Sequence, residues 1–433
     1  MSRVIVVGGG LAGLATAYFL GQRAEVTVLE ASPRAGGKLL TEARDGFLLE
    51  GGPDAFVTYK PAALELCKEL GLELMETLPA RPRSLVLHQG RLTPVPEGLM
   101  GVIPSQWLPM ALTPLLSWTG KLRMLADLWL PARREASEES LGAFLRRRLG
   151  GEVVERLADP LLAGIYGAPA DCLSSRCLFP RLLALEEKHR SLIAGVLRQP
   201  SRPRGPEMLG LRSGMSGLTE ALQARVNGRL RVGQQVEQVL PGQVRVGGEW
   251  LQADSVVLAT PAPQTARLLG PGALSQQLAL IDYQKVATVA LGFHRRQVIH
   301  PLDSHGFVVP TRQAGLISAC TWSSSKFPGR VPASCVLLRA YVRNPQESDE
   351  ELVQAVVQEL RPLLKLIGQP RLARVFRWEN PVYRVGHGEL VSELERHVPP
   401  GLFLTGSAYR GVGVPDVIEQ ARSTAERVAQ AGR

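Results

Sequence analysis

Cysteine is scarce: five in 433 residues, at positions 67, 172, 177, 320 and 335. An odd number without CxxC spacing excludes a disulfide framework or a structural zinc site as the organising feature, and fits a reducing, cytoplasmic setting. The seven histidines show no paired ligand spacing, so no metal is expected. Lysine is also rare: eight of the 50 basic residues, so arginine carries most of the net charge of +10. No run of five like charges occurs. Arg133-Arg134 and Arg146-Arg147-Arg148 are the densest clusters and lack interleaved aromatics, so no nucleic-acid partner is expected. No apolar stretch is long enough to span a bilayer without interruption. Leu99 to Trp118 comes nearest, and Pro104, Pro109 and Pro114 break it. Arg3 precedes an apolar start that runs at once into Gly8-Gly9-Gly10, so a secretory leader is not expected. What remains, 45% hydrophobic and 21% charged residues, describes a folded chain of about three domains.

The first sixty residues carry the clearest pattern. Val4-Ile5-Val6-Val7 reads as a buried parallel strand. Gly8-x-Gly10-x-x-Gly13 follows, with Leu11, Leu14, Ala15, Tyr18 and Phe19 at helical spacing, then a second strand, Val26 to Leu29, ending at Glu30. This is the dinucleotide-binding unit: Gly8 for the tight turn, Gly10 for close approach of a pyrophosphate, Gly13 for helix-on-strand packing. The phosphates meet the helix N-terminus around Gly9, Leu11 and Ala12, and Glu30 accepts from ribose hydroxyls.

After Glu30 come Ala31-Ser32-Pro33-Arg34-Ala35-Gly36-Gly37-Lys38 and, later, Gly51-Gly52-Pro53-Asp54-Ala55. Here the chain resembles the FAD-containing amine oxidase and protoporphyrinogen oxidase superfamily. The resemblance implies that Ala31, Arg34, Gly36, Gly37 and Lys38 wrap the diphosphate and ribityl region, and that Gly52, Pro53, Asp54 and Ala55 form a further flavin-contacting turn. The end of the chain, Leu402 to Gly406, then Tyr409-Arg410-Gly411-Val412-Gly413-Val414-Pro415-Asp416 and an apolar-periodic helix, resembles the carboxy-terminal flavin signature. A helix N-terminus there suits negative charge on the reduced ring. Gly406, Val412, Gly413, Val414 and Trp378 are implied cofactor residues. In the middle, Ser255 to Pro261 resembles the strand that returns to the flavin sheet, which adds Thr260, and Val236 is implied on the adenine side.

Residues 91–205 read as short helices with an exposed apolar face. Lys121 to Leu130 is amphipathic, and Trp107, Trp118 and Trp129 suit either a water–lipid interface or the wall of a substrate channel. Residues 263–375 read as a mixed sheet with a helix from Glu350 to Leu366. The expected fold is α/β, α+β overall: an FAD-binding domain from 1–58, 206–262 and 376–433, a substrate domain from 59–90 and 263–375, and a helical, membrane-associating domain from 91–205.

Several middle stretches narrow the family. Asp159-Pro160-Leu161-Leu162-Ala163-Gly164-Ile165-Tyr166-Gly167, Glu187-Lys188-His189-Arg190-Ser191-Leu192 and Leu338-Arg339-Ala340-Tyr341 resemble the oxygen-dependent protoporphyrinogen and coproporphyrinogen oxidases, especially the Gram-positive type acting on coproporphyrinogen III. The similarity runs through essentially the whole chain. It implies an oxidoreductase of haem biosynthesis in which six electrons leave a porphyrinogen as three hydrides, each from a meso carbon to flavin N5, with dioxygen as acceptor. The pyrrole electrons expel the hydride, so no side-chain base is assigned. A propionate-bearing substrate needs cations at the pocket mouth; Lys60, Arg339 and Lys188 are the candidates. A haem-pathway ferrochelatase is an implied partner, and the oligomeric state is not fixed by the sequence. Protoporphyrinogen IX oxidation is the first alternative, followed by another flavin amine oxidase or carotenoid desaturase, and a non-catalytic porphyrin carrier.

Overall fold

A computed structural model of the chain describes residues 1–133, 135, 137–199, 206–226, 228–313 and 315–432. Arg134 and the end of the 91–205 segment lie outside them. A five-stranded, fully parallel sheet forms the nucleus, in the order Leu230–Arg231, Glu25–Leu29, Arg3–Val7, Ser255–Leu258, Leu402–Leu404. Its strands are apolar on both faces because both faces are covered. Val4, Val6, Val26, Val28 and Val257 pack under helices Leu11–Leu20 and Val414–Ala431. Ile5, Val7, Val256 and Leu258 point the other way, onto the antiparallel ribbon of Val236–Leu240, Gln243–Val246 and Glu249–Gln252. Each such fully buried side chain contributes roughly 1.5–3 kcal/mol. The first and last helices of the chain thus lie side by side, which brings the two glycine-rich ends to one edge of one sheet.

A seven-stranded mixed sheet stands beside it, in the order Leu372–Pro381, Tyr283–His294, Cys335–Arg343, Ile317–Trp322, Gly306–Val308, Leu85–His88, Arg91–Pro94. Only the Gly306–Val308 and Leu85–His88 pair is parallel. Helix Asp349–Leu364 covers one face with Leu352, Val356, Leu360 and Leu364. It starts at a capping box, Ser348 and Glu351, which satisfies two backbone donors. Gly164 of helix Asp159–Tyr166 approaches the sheet at Val308 and Ala319. The strand Leu372–Pro381 runs straight through the expected boundary at 376, so Trp378 sits in this sheet, not in the parallel one. Helices Ala262–Leu269 and Ala273–Ala279, read as part of the substrate domain, pack on the parallel sheet through Leu268 and Leu278.

Between residues 99 and 197 the chain is mostly short helices around their own core of Phe144, Leu145, Leu157, Leu192 and Ile193. The proline-broken stretch forms a small hairpin, Leu99–Met100 with Ile103–Pro104, then helices Trp107–Leu112 and Trp118–Leu125. No helix among the described residues is long and apolar enough to cross a membrane.

Candidate flavin and substrate site

The amino-terminal cradle is built from backbone. Gly8 holds a positive φ of 107°, and a Cβ on Gly13 would lie 1.9 Å from the Gly8 carbonyl oxygen, so the helix sits against the strand only because that atom is missing. Gly10 has open space, the nearest atom to a Cβ being Gly37 Cα at 3.9 Å. No side chain caps the Leu11–Leu20 helix and its first turn holds no acid, leaving its N–H groups of Leu11, Ala12 and Gly13 to a ligand. Glu30 has a part that the motif alone did not convey. One carboxylate oxygen accepts from Gly9 N–H at 2.7 Å and the other from Ser32 N–H at 2.8 Å, which ties the glycine turn to the end of the second strand.

A second glycine turn faces the first. Gly36 N–H donates to Gly9 O at 2.7 Å, and Gly36 and Gly37 both take positive φ. Arg34 folds its guanidinium back onto its own turn, donating to Ala35 O at 3.0 Å and Gly37 O at 2.6 Å. Lys38 reaches across to Glu379 O and to Asn380 Oδ1, the latter at 2.8 Å. Burial pulls its ammonium down to about 8, opposed by the Glu379 carboxylate. A cleft of about 750 Å³ opens here, lined among others by Glu30, Arg34, Gly37, Lys38 and Trp378. Lys285 and Arg377 also line it and were not foreseen; alternation on strands Tyr283–His294 and Leu372–Pro381 was their only signal.

The third turn is held from behind by charge. Trp378 Nε1 donates to Gly51 O at 2.7 Å, and Arg339 donates to Gly52 O. Asp54, expected as a flavin contact, accepts Lys326 Nζ at 2.8 and 3.0 Å and lies 3.3 Å from Arg339. Burial would raise its carboxyl, but Lys326 and then Arg339 outweigh burial and hold it at about 2. Arg330 and Glu50, 3.3 Å apart, complete the group. Burial pushes the Glu50 carboxyl up, against hydrogen bonds from Thr41 and the charges of Arg330 and Arg339. Arg339 therefore does not stand at the pocket mouth, as the sequence led us to expect: it is 1% exposed and committed to Gly52 and Asp54. Pro53 and Ala55 flank this turn half-buried.

The carboxy-terminal loop closes the site. Gly406, at φ 122°, brings the chain to 3.7 Å from Ala12 Cβ, measured from a Cβ on the glycine. Val412, Gly413 and Val414 lead into the last helix, whose Gly413 N–H is 3.3 Å from Asp416 Oδ2. Lys60 Nζ bridges both Asp416 oxygens at 2.7 and 2.9 Å, with its side chain 41% exposed. Arg181, also unforeseen, stacks its guanidinium over Tyr59, 5.6 Å from the ring centre, and no carboxylate pairs with it among the described residues. Lys188 is exposed in the last turn of helix Pro180–His189 and lines neither principal cleft. Thr260 touches the Gly8 position and pairs with Thr265 at 2.8 Å, and Val236 is buried beneath the end of the second strand.

A parallel sheet whose first turn is an uncapped glycine cradle, with an acid on the second strand, a second glycine turn bonded to the first and the chain's last helix packed beside the first, defines a dinucleotide-binding protein. Comparison with known proteins agrees. Residues 11–429 match the family described as flavin containing amine oxidoreductase. The chain is 38% identical to the coproporphyrinogen III oxidase of Propionibacterium freudenreichii subsp. freudenreichii, over 99% of this chain and 91% of that one. It is 34% identical to the coproporphyrinogen III oxidase of Bacillus subtilis (strain 168), over 97% and 96%. A crystal structure from Exiguobacterium sp. 255-15 superposes with a TM-score of 0.89 at 33% identity, covering 99% of each chain. The chain belongs to the flavin containing amine oxidoreductases and, within them, to the protoporphyrinogen and coproporphyrinogen oxidase family. It is an oxidoreductase and its cofactor is FAD.

Proposed function

We propose that the chain oxidises coproporphyrinogen III to coproporphyrin III in haem biosynthesis. The observation that carries this reading is a flavin cradle complete at both chain ends, in a chain similar over its full length to coproporphyrinogen III oxidases. When bound, FAD supplies the two-electron acceptor for each of three oxidations, with dioxygen taking the electrons onward. This chain's residues bind, orient and enclose. The Gly8–Gly13 cradle and Glu30 hold the adenosine and diphosphate half, joined by Arg34, Gly36, Gly37 and Lys38, with Val236 and Thr260 at its edge. Gly52, Trp378 and the 406–414 loop hold the ring half. Asp54 is held by Lys326 and Arg339, no side-chain base is assigned, and the substrate's pyrrole nitrogens release their own protons.

Lys60 and Arg181 are the cations we assign to propionate binding, because both lie at the exposed edge beside Tyr59. In the absence of substrate Lys60 rests on Asp416, an ion pair that a carboxylate of the substrate can share. The test is porphyrin fluorescence appearing from coproporphyrinogen III and protoporphyrinogen IX side by side. Faster turnover of the four-propionate substrate is expected; faster turnover of protoporphyrinogen would shift the activity to that alternative.

The apolar face of the helical part is offered to lipid. Trp107, Leu108, Leu112, Trp118, Leu122 and Trp129 are all exposed, Trp118 and Trp129 by 74% and 79%, and Lys121 sits over the Trp118 ring. The exposed tryptophans support a reading in which the protein is cytoplasmic and peripheral at the membrane, with a haem-pathway ferrochelatase receiving the porphyrin. The expected division is an FAD-binding unit around the parallel sheet, a substrate unit around the mixed sheet, and this helical unit. Co-sedimentation with anionic vesicles should fall at least severalfold for the W118E/W129E double variant; unchanged binding would remove the membrane reading.

A further inference from the structure

The loop from Gly406 to Gly413 is packed in its first half, where Ala408 and Tyr409 are buried, and only half-buried from Gly411 to Gly413. Its outer flank is a second cleft, of about 550 Å³, lined by Tyr383, Tyr409, Arg410 and Ser392 among others. What spans the loop is one phenol. Tyr383 Oη donates to Ser407 O at 2.9 Å and accepts from Gly411 N–H at 2.6 Å, so a single oxygen joins the loop's beginning to its end. Burial raises the Tyr383 phenol, so it keeps the hydrogen that Ser407 O receives. Gln420 braces the same loop from the terminal helix, accepting from Arg410 N–H at 3.2 Å and donating to Gly411 O at 3.2 Å, but it touches one end only.

Tyr383 is itself fixed. Its ring stacks on His387, centroids 3.9 Å apart and planes 15° from parallel. His387 is buried, and its Nε2 lies 3.0 Å from Tyr409 O. A carbonyl can only accept, so that nitrogen carries the hydrogen. Two stacked rings thus hold three loop backbone groups, at 407, 409 and 411. Neither ring reaches the cleft lined by Glu30, Lys38 and Trp378.

We propose that Tyr383, backed by His387, is a positioning residue for the flavin: it sets the 406–413 backbone against the ring half of the cofactor without touching the reacting atoms. This rests on the reading that the 406–414 loop faces the flavin ring. Removing the phenol oxygen leaves the Gly411 N–H and Ser407 carbonyl without their partner and frees the loop to shift toward the open cleft.

The test uses the full-length holoenzyme and its deflavinated form. Y383F keeps the ring and the stack and removes only the oxygen. We expect FAD to bind roughly tenfold more weakly, the loss typical of a deleted hydrogen bond to a buried group. The visible bands of the bound flavin should shift, and kcat should fall while KM for the porphyrinogen stays within about twofold, a split that follows from loss of positioning without loss of substrate contact. H387A should move the same bands less, and H387Q, which retains a donor for Tyr409 O, should restore them in part. A V412W variant separates the two layers of the argument. If V412W perturbs the flavin spectrum while Y383F and H387A leave spectrum and affinity unchanged, the role of Tyr383 is overturned and the loop reading stands. If all three are silent, the loop does not face the flavin and both fall.

Discussion

The cofactor cleft has two walls made by opposite means. The cradle wall is backbone: glycines at 8, 10, 13, 36 and 37, two facing turns, and one carboxylate that organises N–H groups. The wall behind Gly51 and Gly52 is ionic: Glu50, Lys326, Arg330 and Arg339 are buried, with Asp54 largely so, against the mixed sheet's strand Cys335–Arg343. The first presents itself to any dinucleotide. The second fixes the Gly51–Gly52 turn to the mixed sheet through Arg339 and Trp378. At Gly8, Gly13 and Gly36 the backbone wall leaves no room for a Cβ; an ionic wall tolerates no missing partner.

Substitutions should separate them. Gly13→Ala should be the more severe, since its Cβ would lie 1.9 Å from a backbone oxygen that cannot move without breaking the strand's end. Purified G13A protein should carry essentially no flavin per chain; full FAD occupancy would break the account of this wall. Asp54→Asn should leave FAD binding detectable but destabilise the fold by about 3–5 kcal/mol, because Lys326 and Arg339 lose the charge that holds them together.

The pH dependence has a definite sign. Asp54 is depressed to about 2 in the folded protein, so its contribution is present above the ordinary carboxylate range and is lost as pH falls toward 2. Glu50 is shifted the other way, so protonating it relieves a cost. Unfolding in urea between about pH 5 and 2, which spans roughly the unfolded and folded Asp54 titrations, should show a steeper acid loss for wild type than for D54N. Equal slopes would mean that Asp54 is not the linked group. The smallest effect is at the exposed edge. Lys60→Ala should raise KM for coproporphyrinogen several-fold, and more than for protoporphyrinogen, in keeping with the modest worth of a half-exposed ion pair; equal effects on both substrates would sink its propionate role.

The same contrast explains what could be read from the chain. The cradle was legible because turn geometry demands glycine at fixed local spacing, and Val4–Val7, Val26–Leu29 and Ser255–Leu258 announce buried parallel strands by their short, uncharged, valine-rich runs. The ionic wall was not legible, since Asp54 and Lys326 are 272 positions apart and neither sits in a motif that points to the other. Asp54 was read as a cofactor contact because it lies in a flavin-like turn; its pairing with Lys326 and Arg339 had no signal in that turn. Arg339 did carry a warning: it interrupts Cys335–Val342, a run apolar on both faces, so it had to be buried and paired. The strand Leu372–Pro381 crossed the expected boundary because sheet pairing with Tyr283–His294 continues to Pro381, which composition does not mark. Tyr383 had no local signal at all; its worth lies in two backbone groups 24 and 28 residues away.

The most direct measurement of the central claim is side-by-side oxidation of coproporphyrinogen III and protoporphyrinogen IX by the FAD-loaded protein, mixed first without air and then with it. The account predicts loss of the oxidised-flavin absorbance on anaerobic mixing, porphyrin fluorescence with peroxide on admitting air, and the faster rate with coproporphyrinogen. Flavin that stays oxidised with both substrates would contradict it.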